Sequence, residues 1–103
     1  MTSSQISEIL NELGGYTQDS LIDLQDVSTI ILTSNENLYP EKITQFYFNS
    51  TEEILLVYTG TVENDTFIPN PKPSSIIEYS QIAGFTAKSM YYQKSAYRVG
   101  MQI

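Results

Sequence analysis

The chain predicts an α+β domain, with an N-terminal amphipathic helix packed on a small, mainly antiparallel sheet of four or five strands. Three stretches carry this expectation. Ile6, Ile9, Leu10 and Leu13 fall at i, i+3, i+4 and i+7, the apolar stripe of a helix. Ile43–Phe48 and Ile54–Tyr58, both rich in β-branched and aromatic side chains, flank the polar Asn49-Ser50-Thr51-Glu52, the pattern of a β-hairpin closed by a four-residue turn. Val27–Thr33 adds a further β-branched run, which favours a strand.

Taken in order, Thr2 to Gly15 is the clearest local structure. Ser3 or Ser4 can cap the first amides, and Gly14-Gly15 offers a left-handed residue where the helix stops. A helix of about 10 residues is marginal alone in water, so this one must dock on its own sheet or on a partner. Tyr16–Asp26 reads as a short extended or turn segment, with Ser20 and Asp23 as a helical capping pair on the alternative reading. Ser34–Asn37 is turn chemistry, and Tyr39-Pro40 keeps the chain extended before the hairpin.

In the first hairpin strand Ile43, Gln45 and Tyr47 face one side while Thr44, Phe46 and Phe48 face the other. Ile54–Tyr58 is apolar on both faces, which predicts an interior strand with two covers, one of them the N-terminal helix. A cover missing from the monomer must come from a partner. Gly60 to Pro73 reads as a polar connection with a turn at Glu63-Asn64-Asp65, and Pro69, Pro71 and Pro73 favour an extended spacer or exposed loop. Ser74–Lys88 carries two signals. Ser75-Ile76-Ile77-Glu78 is a capping-box pattern, whereas the alternation of Ile77, Tyr79, Ala83, Phe85 and Ala87 is strand spacing and Gly84 weighs against a helix, so a strand is expected. Met90–Lys94 and Ala96–Met101 then read as a turn and a last strand. No repeat or linker divides residues 1–103, which form a single domain on this reading.

A chain of 103 residues can bury one core without covalent staples. It contains neither cysteine nor histidine, so disulfides, thiolate metal sites and the commonest general base are absent. The opening residues lack the basic and apolar regions of a secretory signal, and no apolar run approaches the roughly 20 residues that span a bilayer. A soluble product made in the cytosol is expected. Asn49 and Asn64 begin glycosylation tripeptides but read as turn polars.

The net charge of −7 is unevenly spread: eleven of the twelve acids lie in residues 1–71 beside Lys42, whereas residues 72–103 hold Lys72, Lys88, Lys94 and Arg98 against Glu78. An acidic whole argues against binding a phosphate backbone. The polarity suits head-to-tail contact between copies, or pairing of the two regions within one subunit.

Catalytic patterns are missing: there is no Gly-rich phosphate loop, no G-x-S-x-G elbow, no H-E-x-x-H, and no serine three residues before a lysine. Asp19, Asp23 and Asp26 lack the glycine and terminal glutamate of a calcium loop, and Glu52-Glu53 reads as solvated turn acids rather than a catalytic pair. No catalytic, metal or cofactor-binding residue is assigned, and no cofactor, membrane or small-molecule substrate is expected. The chemically distinctive cluster is Tyr91, Tyr92, Lys94, Tyr97 and Arg98, with Lys88 nearby. Tyrosine and arginine are enriched at protein interfaces, and the acidity of the whole disfavours the alternative of a single-strand nucleic-acid platform. Tyrosines packing a sheet edge with lysines as edge protection is the plainer reading.

The expectation is therefore a non-enzymatic structural or assembly protein acting in several copies. Abundant Ser, Thr, Asn, Gln and Tyr with few charges is a composition shared by small repeating subunits of viral particles, which points to a phage-type virion component such as a capsid, connector or tail subunit. The alternative is a small acidic inhibitor that fills the nucleic-acid-binding groove of a partner enzyme, using Asp19, Asp23, Asp26, Glu52, Glu53, Glu63 and Asp65 in place of phosphates.

Overall fold

The computed structural model describes residues 1–24, 27–40 and 44–87. Helix α1 spans Ser3–Gly14 and buries Ile6, Ile9, Leu10 and Leu13, the stripe expected from their spacing. Its N-cap is Thr2 rather than Ser3 or Ser4. The Thr2 hydroxyl accepts from the Gln5 amide at 3.2 Å and the Gln5 side chain accepts from the Thr2 amide at 2.9 Å, a reciprocal capping box. Ser3 is committed elsewhere, because its amide and hydroxyl both donate to Glu53 Oε2. At the other end Gly15 adopts φ 70°, a left-handed cap that any side chain would strain.

Among the described residues eight strands follow: β1 (Leu21–Ile22), β2 (Val27–Leu32), β3 (Asn37–Leu38), β4 (Thr44–Asn49), β5 (Ile54–Glu63), β6 (Thr66–Pro69), β7 (Ser75–Glu78) and β8 (Ile82–Ala87). Every pairing among the described residues is antiparallel. The strands divide into a five-stranded sheet, β1-β4-β5-β6 with β7 also on β5, and a three-stranded sheet, β3-β2-β8. The α+β architecture is as expected, with the second sheet an addition built by the return of β8 to β2. Register in that sheet shifts twice, leaving Ser28 and Ala83 out of the ladder, and the Ser28 hydroxyl bonds to Thr86 across the first irregularity.

The β4–β5 hairpin is the predicted one, with its turn one residue later, at Ser50–Glu53. Asn49 is the last paired residue of β4, and its side chain accepts from the amides of Thr51 and Glu52. Two expectations need correction. Gly60–Pro73 is not simply a polar connection, because β5 runs on to Glu63 and turns through Asn64-Asp65 into β6. Both turn residues have positive φ, 50° and 62°, the two-residue geometry that Asn and Asp tolerate and that matches strand twist. In Ser74–Lys88 the strand reading holds for β7 and β8, but a 3-10 turn at Tyr79–Gln81 separates them and resets the alternation, so Ile82 rather than Ala83 is buried. The turn and last strand read from Met90–Met101 lie outside the described residues.

One contiguous core joins the inner face of the five-stranded sheet, the helix stripe and the inner face of the three-stranded sheet. Phe48 sits at its centre, fully buried, with ring centroids 6.3 Å from Tyr79 and 6.2 Å from Phe85. Tyr79 ties the layers together by hydrogen bonds. Its hydroxyl donates to Gln18 Oε1 at 2.6 Å, its amide donates to the Glu53 carbonyl, and its own carbonyl accepts from the Met1 amino group. Burial, reinforced by the charges of Asp19 and Glu53, holds the Tyr79 hydroxyl well above the usual phenol range, so it stays a neutral donor. Among the described residues no helix is long and apolar enough to cross a membrane.

Candidate functional site

Alternation along β4 and β5 gives the five-stranded sheet two faces of different fate. Phe46, Phe48, Leu55, Val57 and Ile77 point into the core and are buried. Tyr47, Ile54, Leu56 and Tyr58 point the other way and are only half-buried. The register then aligns apolar residues across four strands. Leu21 pairs with Tyr47, Tyr47 with Leu56, and Leu56 with Ile76, so these four side chains form one row on the outer face of β1, β4, β5 and β7. At a strand spacing of about 4.8 Å the row is about 14 Å long. Leu21 is 41% exposed and Ile76 is 62% exposed, so the row opens to solvent at both ends.

The apolar surface continues down β5 beyond this row. Even-numbered residues Ile54, Leu56, Tyr58 and Val62 share the outer side, and Val62 pairs with Phe67 in the β5–β6 hairpin. Val62 is 54% exposed. Gly60 lies between Tyr58 and Val62 and approaches β6 closely, its backbone packed against Ile68 and Pro69. Outward apolar residues this numerous are more than the scattered hydrophobics of an ordinary surface.

Charge borders the surface. Glu78 ends the Asn49–Ile54–Glu78 row on the same face, and Asp19, Glu52 and Glu53 cluster at that end around the β4–β5 turn. Glu63 and Asp65 stand at the far end of β5, about 30 Å away at the usual rise per residue. Of the acids named for an inhibitor surface, Asp19, Glu52 and Glu53 thus stand at one end and Glu63 and Asp65 at the other, Asp23 follows β1 beside the middle of β4, and Asp26 lies outside the described residues. Two of them also serve the fold: Glu53 accepts from Ser3, and Asp19 accepts from the Ser50 hydroxyl and, at 2.9 Å, from the Ser50 amide. Among the described residues no three carboxylates come together as a metal site, and Lys72 is the one cationic side chain.

The Ser50 hydroxyl first, and the Ser50 amide second, hold the Asp19 carboxyl below the usual carboxylate range. A lowered native value means that the stability contributed by ionised Asp19 is present above the unfolded value, about 3.9, and is lost as pH falls through the native one. Asp19→Asn is expected to lower the melting temperature at pH 7, with the difference from the parent closing as melts are taken from pH 5 to pH 2. Asparagine tolerates the left-handed backbone of residue 19, φ 66°, as aspartate does, so a difference that stays constant with pH would place the loss in the missing carboxylate acceptor facing Ser50 instead of in the charge.

The predicted interface residues Tyr91, Tyr92, Lys94, Tyr97 and Arg98 lie outside the described residues, as does Lys88. The outer-face row is only half legible in the sequence. The doubly apolar Ile54–Tyr58 announced a second face in need of cover, but Leu21 and Ile76 join it through register, which no local pattern reveals. Comparison with protein-family models, with curated proteins and with solved structures returns no match.

Proposed function

We propose that this protein is a non-enzymatic assembly subunit that acts in several copies and binds its neighbours through the outer face of the five-stranded sheet. The observation that carries the reading is the Leu21–Tyr47–Leu56–Ile76 row, an apolar stripe across four strands that the subunit's own helix and second sheet leave half open. The helix and β8 are both spent on the inner face, so among the described residues no element covers the outer one, which suits a contact with another chain. A repeating component of a viral particle is one setting that such a subunit fits, and its composition supports that setting. Association of this kind needs no cofactor and no bound small molecule.

The test is solution mass by light scattering over a roughly hundredfold concentration range, at low and at high salt. The parent is expected to grow in mass with concentration. Leu21→Lys with Ile76→Lys is expected to abolish that growth while shifting stability by no more than about 1 kcal/mol, since both positions are already exposed. A double variant that associates as the parent does would remove the outer face from the mechanism.

A further inference from the structure

Resting on that assembly reading, we propose that the outer face receives the C-terminal segment Lys88–Ile103 of a second copy of this chain. The face sets the terms for its occupant. It asks for apolar side chains to cover the Leu21–Tyr47–Leu56–Ile76 row, and for positive charge to meet Asp19, Glu52 and Glu78 at one end and Asp65 at the other. Two such faces laid against each other would oppose acid with acid, so symmetric face-to-face pairing is disfavoured. A basic, aromatic strip fits instead.

The chain carries one such strip. Residues 88–103 hold Lys88, Lys94 and Arg98 with no acid, three of the five basic residues of the protein. Tyr97, Val99, Met101 and Ile103 recur at every second position, a spacing that presents all four on one side when such a segment lies extended on a sheet. The donor is a second copy because of where the segment departs. β8 ends at Ala87 in the three-stranded sheet, and Phe85 of that strand packs on Phe48 at the inner side of the five-stranded sheet. The receiving face is on the opposite side of that sheet. Donor and acceptor surfaces then differ, so the contact is head-to-tail and can add copies beyond a pair.

The experiment uses the full-length chain with a photoreactive benzoylphenylalanine in place of Tyr97, mixed as equal parts unlabelled and 15N-labelled protein. Cross-links that join a light to a heavy copy and map to peptides containing Tyr47, Leu56 or Ile76 are expected. Lys94→Glu with Arg98→Glu is expected to weaken association about tenfold and to flatten its salt dependence. Cross-links confined to single copies, or joining copies at any other surface, would overturn the proposal. If in that case Leu21→Lys with Ile76→Lys still dissociates the assembly, the face remains the interface and only its occupant is wrong. A monomer at every concentration and salt would overturn the occupant and the assembly reading together.

Discussion

Phe48→Ala is expected to lower unfolding stability by about 3–5 kcal/mol, the range for removing a fully buried aromatic ring from a core that cannot close around the gap. Phe48 belongs to that class: it has no exposed surface, and its ring meets Tyr79 of the 3-10 turn and Phe85 of the three-stranded sheet. β4 holds the backbone on both sides, paired to β5 along its whole length and to β1 at Phe46 and Tyr47, so the sheet cannot collapse inward to fill the space. Against a typical total of about 5–15 kcal/mol, a loss of this size is roughly a fifth of the fold or more. In a domain of this length it corresponds to a fall in melting temperature of roughly 15–30 °C. Urea denaturation of Phe48→Ala beside Phe48→Leu separates cavity from shape, because the leucine variant keeps most of the volume and should lose far less. A loss under about 1 kcal/mol for the alanine variant would mean that Phe48 does not join the five-stranded sheet to the three-stranded one.

The same residue shows which parts of the fold are legible in the sequence. Phe46 and Phe48 alternate with Gln45 and Tyr47, and this period of two placed them on one face correctly. The helix stripe and the Gly15 stop were equally plain, since both depend on neighbours within one or two turns. What local pattern could not supply was pairing between distant segments. The Asn64-Asp65 turn is a hairpin signal, but three prolines downstream favour a spacer, and only the Gly60–Pro69 register shows that the first of them can end an edge strand. Ser75–Glu78 resembled a helix cap because the pattern is short, whereas its backbone is claimed by Ile54–Val57 of β5. Thr2 displaced Ser3 as the N-cap for the same kind of reason: Ser3 has a distant partner in Glu53. The interaction surface followed this division. Its β5 column was legible as a run apolar on both faces, and its cross-strand row was not.

Gly60→Val is expected to detach the β5–β6 arm while leaving the core folded. A Cβ at residue 60 would collide with the Ile68 carbonyl oxygen and sit 2.8 Å from the Pro69 Cα. Both are backbone atoms of β6, so no side-chain rotation relieves the clash and the strand itself must move. The arm can move alone because pairing of β5 with β4 ends at Thr59, and the pairs from Gly60 to Glu63 are made with β6. A global loss of about 1–3 kcal/mol is expected, with amide exchange rising in Thr61–Glu63 and Thr66–Ile68 and unchanged protection at Phe46, Leu55 and Val57. Val62 and Phe67 lie on the side of β5 that carries Leu56 and Tyr58, so loss of the arm also shortens the outer apolar surface. Light scattering on the same sample then weighs two designs. If assembly weakens together with arm protection, the hairpin is part of the binding surface. If the arm frays and the mass still grows with concentration as before, the Leu21–Tyr47–Leu56–Ile76 row is sufficient, and the close approach at Gly60 serves only to fold the hairpin.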